Sequence, residues 1–324
     1  MTPEYAKLAV WSSLYHGLAL NVAWYFPREG LAPQPASKFA GSLVGSFATL
    51  PQVTDIFLRE HMVASAVGDI VAGLGRLRPT IWILRSMASD TQDETSTVAL
   101  LAAFEAASFL GQPLGFLTER QLQAGKLDHP GGGNRSTDGI VIVPNSTFVD
   151  DLTVAKLQQR PSAATILATN TSAACLRFSP SGVPRTQPAL RKYVDSLDSV
   201  PILPAPQMQK LLRAQLLSRL PQPAAWCTDP AEPQAGPIFG VLCRFADLPV
   251  PEDGTSTAAG RGSGTYGYVI NMLAQRTTIG LRRRGDAPGG VAVMEGIDVR
   301  DGLSLTFAGG ALELEPGAVL LVRI

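Results

Sequence analysis

Trp24, Tyr25, Arg28 and Glu29 close a short apolar run, Leu20 to Phe26, and offer two aromatic faces, a permanent cation and a carboxylate close together in the chain. At the C-terminal end of a strand, this is what the last strand of a (β/α)8 barrel carries into an active site. A plainer reading, core aromatics beside a surface ion pair, is preferred on the residues alone. Three strand-end turns, Arg85-Ser86, Pro144-Asn145-Ser146 and Asn170-Thr171, are the other places where a ligand would sit. None has a G-x-G-x-x-G or Walker pattern, and none carries a nucleophile flanked by glycines. Gly131-Gly132-Gly133 precedes a strand, so it reads as a loop and not a phosphate cradle. Gly260 to Gly264 has no helix after it and reads as linker. Cys175 lies seven residues past a strand and reads as a buried thiol. No complete catalytic set, cofactor motif or metal-ligand spacing emerges.

The elements that would position these groups fall into three pieces, 1–78, 79–223 and 224–324. In the first, Thr2-Pro3-Glu4 supplies a hydroxyl cap, a proline and an acid for a helix that runs to about His16 and stops at Gly17. A strand at Leu20 to Phe26 and a proline-containing loop follow. A second helix starts near Pro51, with an apolar stripe from Val53 to Leu74. One strand cannot satisfy its backbone without neighbours, so this piece looks like part of something larger.

In the middle piece, apolar runs at Thr80 to Leu84, Leu114 to Leu117, Ile140 to Val143 and Thr165 to Ala168 alternate with helical segments. Asp93 to Thr97 supplies the first helix start, Thr118 to Gln121 a capping box, and Thr147 to Asp150 another. Such alternation implies a doubly wound parallel sheet. In the last piece the period shortens: Phe239 to Phe245, Tyr266 to Leu273, Thr277 to Leu281, Gly290 to Met294, Leu303 to Phe307 and Ala318 to Ile324 read as strands of a small antiparallel β-sandwich.

The 27 basic residues balance the 27 acidic ones, so no global field would hold nucleic acid or an anionic membrane. Arg282-Arg283-Arg284 is the only basic cluster and reads as a solvated face. The longest weakly polar run, Met62 to Leu77, is broken by Asp69 and falls short of the roughly 20 residues a span requires. The three cysteines, Cys175, Cys227 and Cys243, are too scattered for a disulfide framework. With no signal peptide visible, they suit a reducing cytoplasm, where the sequons at Asn134, Asn145 and Asn170 carry no meaning.

Taken together, Phe104-Glu105, Phe109-Leu-Gly111, Gly115 to Leu122, Ile140-Val-Ile-Val-Pro-Asn145 and Leu167-Ala-Thr169 resemble the trimerisation domain of family 42 glycoside hydrolases, the β-galactosidase type. That resemblance implies a flavodoxin-like, class I amidotransferase-like sheet domain without catalytic residues. The front piece, Trp11 through His16-Gly17 to Trp24-Tyr-Phe-Pro-Arg28 and Phe39 to Leu43, is similar to the end of the same enzymes' barrel. Tyr268 to Leu273 and Leu314 to Leu321 are similar to their closing β-domain.

What the resemblance implies is a (β/α)8-barrel remnant, an assembly domain and a β-sandwich, in that order. Trp24 would then be a wall of a galactoside-like sugar site, with Arg28 and Glu29 as polar contacts to its hydroxyls. Retaining glycosidases need two carboxylates about 5 Å apart, and Glu29 alone cannot fill both roles. No catalytic residue is therefore assigned. The expected partner is a second copy of the chain, in a trimer, or an upstream chain bearing the barrel. The alternative is a non-catalytic assembly or binding module acting through the α/β domain.

Overall fold

The computed structural model describes residues 3–18, 51–127, 139–216, 218–220, 223–231, 237–248, 264–283, 295–307 and 311–324. These form two compact units, Arg78–Gln222 and, separately, Met1–Leu77 together with Pro223–Ile324.

The first of these units is a parallel sheet covered by helices on both faces. Its strands are β1 (Ile81–Arg85), β2 (Leu114–Thr118), β3 (Ile140–Pro144), β4 (Thr165–Ala168) and β5 (Asp198–Val200), in the order β2-β1-β3-β4-β5. Register is set by Ile81 opposite both Leu114 and Ile140, Val141 opposite Thr165 and Ile166 opposite Asp198. The two-residue period of a strand divides the apolar side chains between the faces. Ile81, Ile83, Ile140, Ile142, Ile166 and Val200 join one core, and Trp82, Leu84, Val141, Val143 and Leu167 the other. That is why the runs read as continuously apolar: both faces are covered.

Two further helices lie after β1, α1 (Met87–Gln92), capped by Ser86, and α2 (Glu94–Ser108), capped by Asp93 through Thr95 N. The expected capping box is present at α3 (Glu119–Gln123), where Thr118 and Gln121 exchange hydrogen bonds. The box expected at Thr147 is not. Asp150 caps α4 (Asp151–Gln158) by accepting from Leu152 N, while the Thr147 hydroxyl donates to Asp93 Oδ2. A carboxylate one residue from the helix outcompetes a hydroxyl further upstream. Helices α5 (Pro188–Asp195) and α6 (Ala205–Leu216) and strand β5 complete the unit. Gly139 begins β3 with φ +73°, and a Cβ there would lie 2.8 Å from Thr80 O, so only glycine fits.

The second unit is an antiparallel sandwich with helices on one outer face. Among the described residues its strands are β6 (Ala225–Thr228), β7 (Val241–Leu248), β8 (Gly264–Asn271), β9 (Thr277–Arg283), β10 (Glu295–Asp298), β11 (Leu303–Thr306), β12 (Ala311–Leu314) and β13 (Val319–Arg323). They form one sheet in the order β11-β10-β13-β8-β7 and another in the order β12-β9-β6. Cys227, Val241, Cys243, Phe245, Val269, Ile279, Leu281 and Val322 fill the space between them.

The cysteines expected to be too scattered for a disulfide framework nonetheless include one pair. Cys227 on β6 and Cys243 on β7 form a disulfide, joining the two sheets across the core. Sixteen residues separate them in sequence, a distance that looks scattered until both strands are placed in facing sheets.

Among the described residues this unit also carries helices α7 (Pro3–Tyr15), α8 (Pro51–Ala66) and α9 (Gly68–Gly75), the last two broken at Val67. Trp11 and Tyr15 of α7 are fully buried and meet the ring of Tyr268 on β8 edge-on. The N-terminal helices thus find their apolar surface on the sandwich sheet. The strand expected at Leu20 to Phe26, the loop at Gly131 to Gly133, the linker residues Gly260 to Ser263 and the strand at Gly290 to Met294 lie outside the described residues, while Gly264, expected as linker, begins β8.

Candidate functional site

Trp24, Arg28 and Glu29 lie outside the described residues, as does the histidine nearest the parallel sheet in sequence, His129. The strand-end turns are described, and their geometry is informative. Asn145 follows β3 with φ +29°, a left-handed conformation at a non-glycine residue. Its side chain is held from both ends: Nδ2 donates to Thr95 Oγ1 and Oδ1 accepts from Thr169 Oγ1 at 3.1 Å. Thr95 Oγ1 in turn donates to Asp93 Oδ1 at 2.6 Å, and Thr147 Oγ1 to Asp93 Oδ2 at 3.1 Å.

Beside this network, Ser86 and Ser89 both donate to the carbonyl of Phe148, at 2.6 and 2.7 Å, and Arg85 Nε is paired with Asp90 at 2.9 Å. Hydroxyls that donate to carbonyl or carboxylate oxygens are anchors. A nucleophile would need a base accepting its proton and a free lone pair aimed at open space. The hydroxyls at the ends of β1 and β3 are therefore committed to their own neighbours.

A second set of anchors lies beneath them. Leu176, buried and with φ +55°, is held by Arg185, whose Nη1 also donates to Phe178 O and whose Nη2 donates to Val149 O. The guanidinium side chain is 6% exposed, whereas its carboxylate partner Asp151 is 81% exposed. Its main work is to satisfy three backbone carbonyls, two of them buried.

The sandwich unit holds a different cluster. Arg244 of β7 is directly opposite Tyr268 of β8, buried, with its guanidinium carbon 4.5 Å from the Tyr15 ring centroid and 6.0 Å from that of Tyr268. Its Nη2 donates to Tyr15 O. Burial lowers the Arg244 pKa and raises those of Tyr15 and Tyr268, the arginine charge partly offsetting the rise on both tyrosines. His16, next in the chain, is pushed down to about 4 by burial and then by Arg244. Further along the same helices, Trp11 Nε1 donates to Glu60 at 2.6 Å, and Arg300 is clamped to Asp298 at 2.7 Å over the Trp11 ring.

The strand-end turns were expected as ligand sites, but the clusters around Arg185, Arg244 and Trp11 were not. The available signal was an arginine inside the apolar run Val241 to Phe245, with tyrosines at alternate positions in Tyr266-Gly-Tyr268. An open pocket of about 420 Å³ lies on the sandwich between Glu295, Ile297, Ser304, Thr306 and Arg323. Among the described residues no group of three or more His, Cys, Asp or Glu side chains could hold a metal ion, and no helix is long and apolar enough to cross a membrane.

The fold recurs in solved glycoside hydrolases. The whole chain superimposes on 39% of an apo GH42 exo-carrageenase from Bacteroides ovatus, with a TM-score of 0.65 and 17% identity. It likewise superimposes on 51% of a catalytic mutant of a GH42 β-galactosidase from G. stearothermophilus (TM-score 0.60, 13% identity) and on 52% of a β-galactosidase from Rahnella sp. R3 (0.59, 9%). This chain spans about half the length of those proteins or less. No protein-family model matches it, and no curated protein does.

Proposed function

We propose that this chain is the C-terminal section of a β-galactosidase-like glycoside hydrolase of the family 42 type, supplying assembly and part of the sugar site while lacking both catalytic carboxylates. The observation that carries the reading is its likeness, over its whole length, to only part of GH42 chains. Two features support it. The strand order β2-β1-β3-β4-β5 is that of flavodoxin-like sheets, and the turn after β3 holds Asn145 in a left-handed conformation with no nucleophile. An amidotransferase-like domain that has given up catalysis would look like this. In this reading residues 1–78 are the end of the barrel, with Trp24 as a wall of the galactoside site and Arg28 and Glu29 as contacts to its hydroxyls. The barrel portion with the two carboxylates comes from elsewhere.

The test is hydrolysis of an aryl β-galactoside. The chain alone should show no turnover, and addition of the barrel portion should restore it. Turnover by the chain alone would overturn the assignment of the carboxylates elsewhere.

Assembly without catalysis has its own support. On the parallel-sheet unit Val98 and Leu101 of α2 are 61% and 58% exposed, and Phe116 on edge strand β2 is 42% exposed and stacked on Phe104. Apolar side chains gathered on one surface mark a contact site, here for further copies of the chain in a trimer. Sedimentation of Leu101→Glu and Phe116→Glu variants should show smaller species than the parent. Unchanged sedimentation would remove this surface from the assembly.

A further inference from the structure

The disulfide restores meaning to the sequons. Disulfides such as Cys227–Cys243 form and persist in oxidising compartments, and in one of these, the lumen of the eukaryotic secretory pathway, Asn-x-Ser/Thr is a glycosylation acceptor. Two sequons lie among the described residues, and their environments are opposite. At Asn145-Ser-Thr147 the amide nitrogen is committed to Thr95, and Ser146 is 1% exposed with its hydroxyl bonded to Pro144 O. The Thr147 hydroxyl is spent on Asp93. A glycan there would have to break this network.

At Asn170-Thr-Ser172 the asparagine is exposed on a bend between β4 and the short turn Ser172–Ala174. Its Oδ1 accepts from Ile202 N at 2.8 Å, which fixes the amide, and among the described residues its Nδ2 has no acceptor. Thr171 is also exposed.

We propose that Asn170 is an N-glycosylation site and that Asn145 is not. This is independent of the glycosidase reading. The chemistry balances without any redox change. Asn170 Nδ2 forms a bond to the anomeric carbon of a lipid-linked oligosaccharide diphosphate, the bond from that carbon to the diphosphate oxygen breaks, the polyprenyl diphosphate leaves, and one amide proton passes to a base of the transferase.

The test is to send the full chain through a eukaryotic secretory pathway and measure its intact mass before and after peptide N-glycosidase treatment in H₂¹⁸O. ¹⁸O should be incorporated in the peptide carrying Asn170 and not in that carrying Asn145, whatever the occupancy of the third sequon at Asn134. Asn170→Gln should remove one glycan mass from the intact protein. Ser172→Ala should do the same while keeping the amide that Ile202 N uses, so a folding defect cannot account for the loss. Alkylation after denaturation without reductant should label Cys175 and leave Cys227 and Cys243 unlabelled. A secreted protein with unmodified Asn170, glycan at Asn145, or labelling of all three cysteines would each overturn the proposal.

Discussion

Two polar clusters, one in each unit, are held by different means, the first partly exposed and the second buried. Around Asn145 the side chains are hydroxyls and amides closed by one carboxylate, and donors find acceptors from Thr169 through Asn145 and Thr95 to Asp93. Around Arg244 a guanidinium is taken out of water with a single backbone acceptor and two tyrosine rings as its main company. Ring quadrupoles stabilise a desolvated cation by about 2 kcal/mol, far less than burying a bare charge costs. Geometry protects the first cluster, whereas the second depends on packing and is exposed to changes of charge.

The sharpest way to break the comparison is to remove the arginine from beneath the strand ends. Arg185→Ala strips the donors from the carbonyls of Val149, Leu176 and Phe178, with an expected loss of about 3–5 kcal/mol. Asp151→Asn should cost under about 1 kcal/mol, because that carboxylate is exposed. Urea unfolding followed by hydrogen exchange would place the loss in peptides of 78–222; equal effects from the two variants would mean that the ion pair, and not the carbonyls, matters. In the sandwich the comparable lever is covalent. Replacing Cys227 and Cys243 together by alanine should cost about 3 kcal/mol from the loop they close, with exchange rising in β6 and β7 and unchanged in β1 to β4.

Strands β1 to β4, β7, β8, β9, β11 and β13 were legible because burial on both faces or on alternate faces leaves its period in the sequence, whereas the short strands β6, β10 and β12 were not read. What escaped was whatever depends on a partner distant in the chain. Asp198–Val200 is too short and polar to show as a strand and gains its place only by pairing with Ile166 to Ala168. Thr147 has the spacing of a helix cap, yet its hydroxyl is drawn to Asp93, 54 residues away in the chain. Cys227 and Cys243 carry no recognisable spacing, because what brings them together is sheet-on-sheet packing. The proposed sugar contacts Trp24, Arg28 and Glu29 rest on the resemblance alone.

A smaller effect tests the charge sensitivity of the Arg244 cluster. The folded His16 pKa is about 4 against an ordinary 6.5, so between those values the unfolded chain takes a proton that the folded one refuses. Stability from this group is complete above about pH 6.5 and falls as pH drops toward 4, by on the order of 2 kcal/mol. His16→Gln should flatten that limb of the stability profile. Arg244→Met should move the His16 midpoint, read by NMR, upward while leaving it below 6.5, because burial is the larger cause and remains. A midpoint unmoved by Arg244→Met would show that the guanidinium does not act on His16.

The smallest expected effect separates strain from hydrogen bonding at Asn145. Asn145→Ala loses the bonds to Thr95 and Thr169 and keeps a left-handed backbone at a residue with a Cβ, for a cost of about 1–2 kcal/mol. Asn145→Gly loses the same bonds but removes the backbone penalty, which is worth about 1 kcal/mol. The glycine variant should therefore be the more stable of the two, and within about 1 kcal/mol of the parent. If alanine and glycine destabilise equally, the left-handed turn carries no strain and the hydrogen bonds alone hold it. If the glycine variant exceeds the parent, the bonds contribute nothing net, and the cluster at the strand ends is held by Asp93 and the surrounding packing instead.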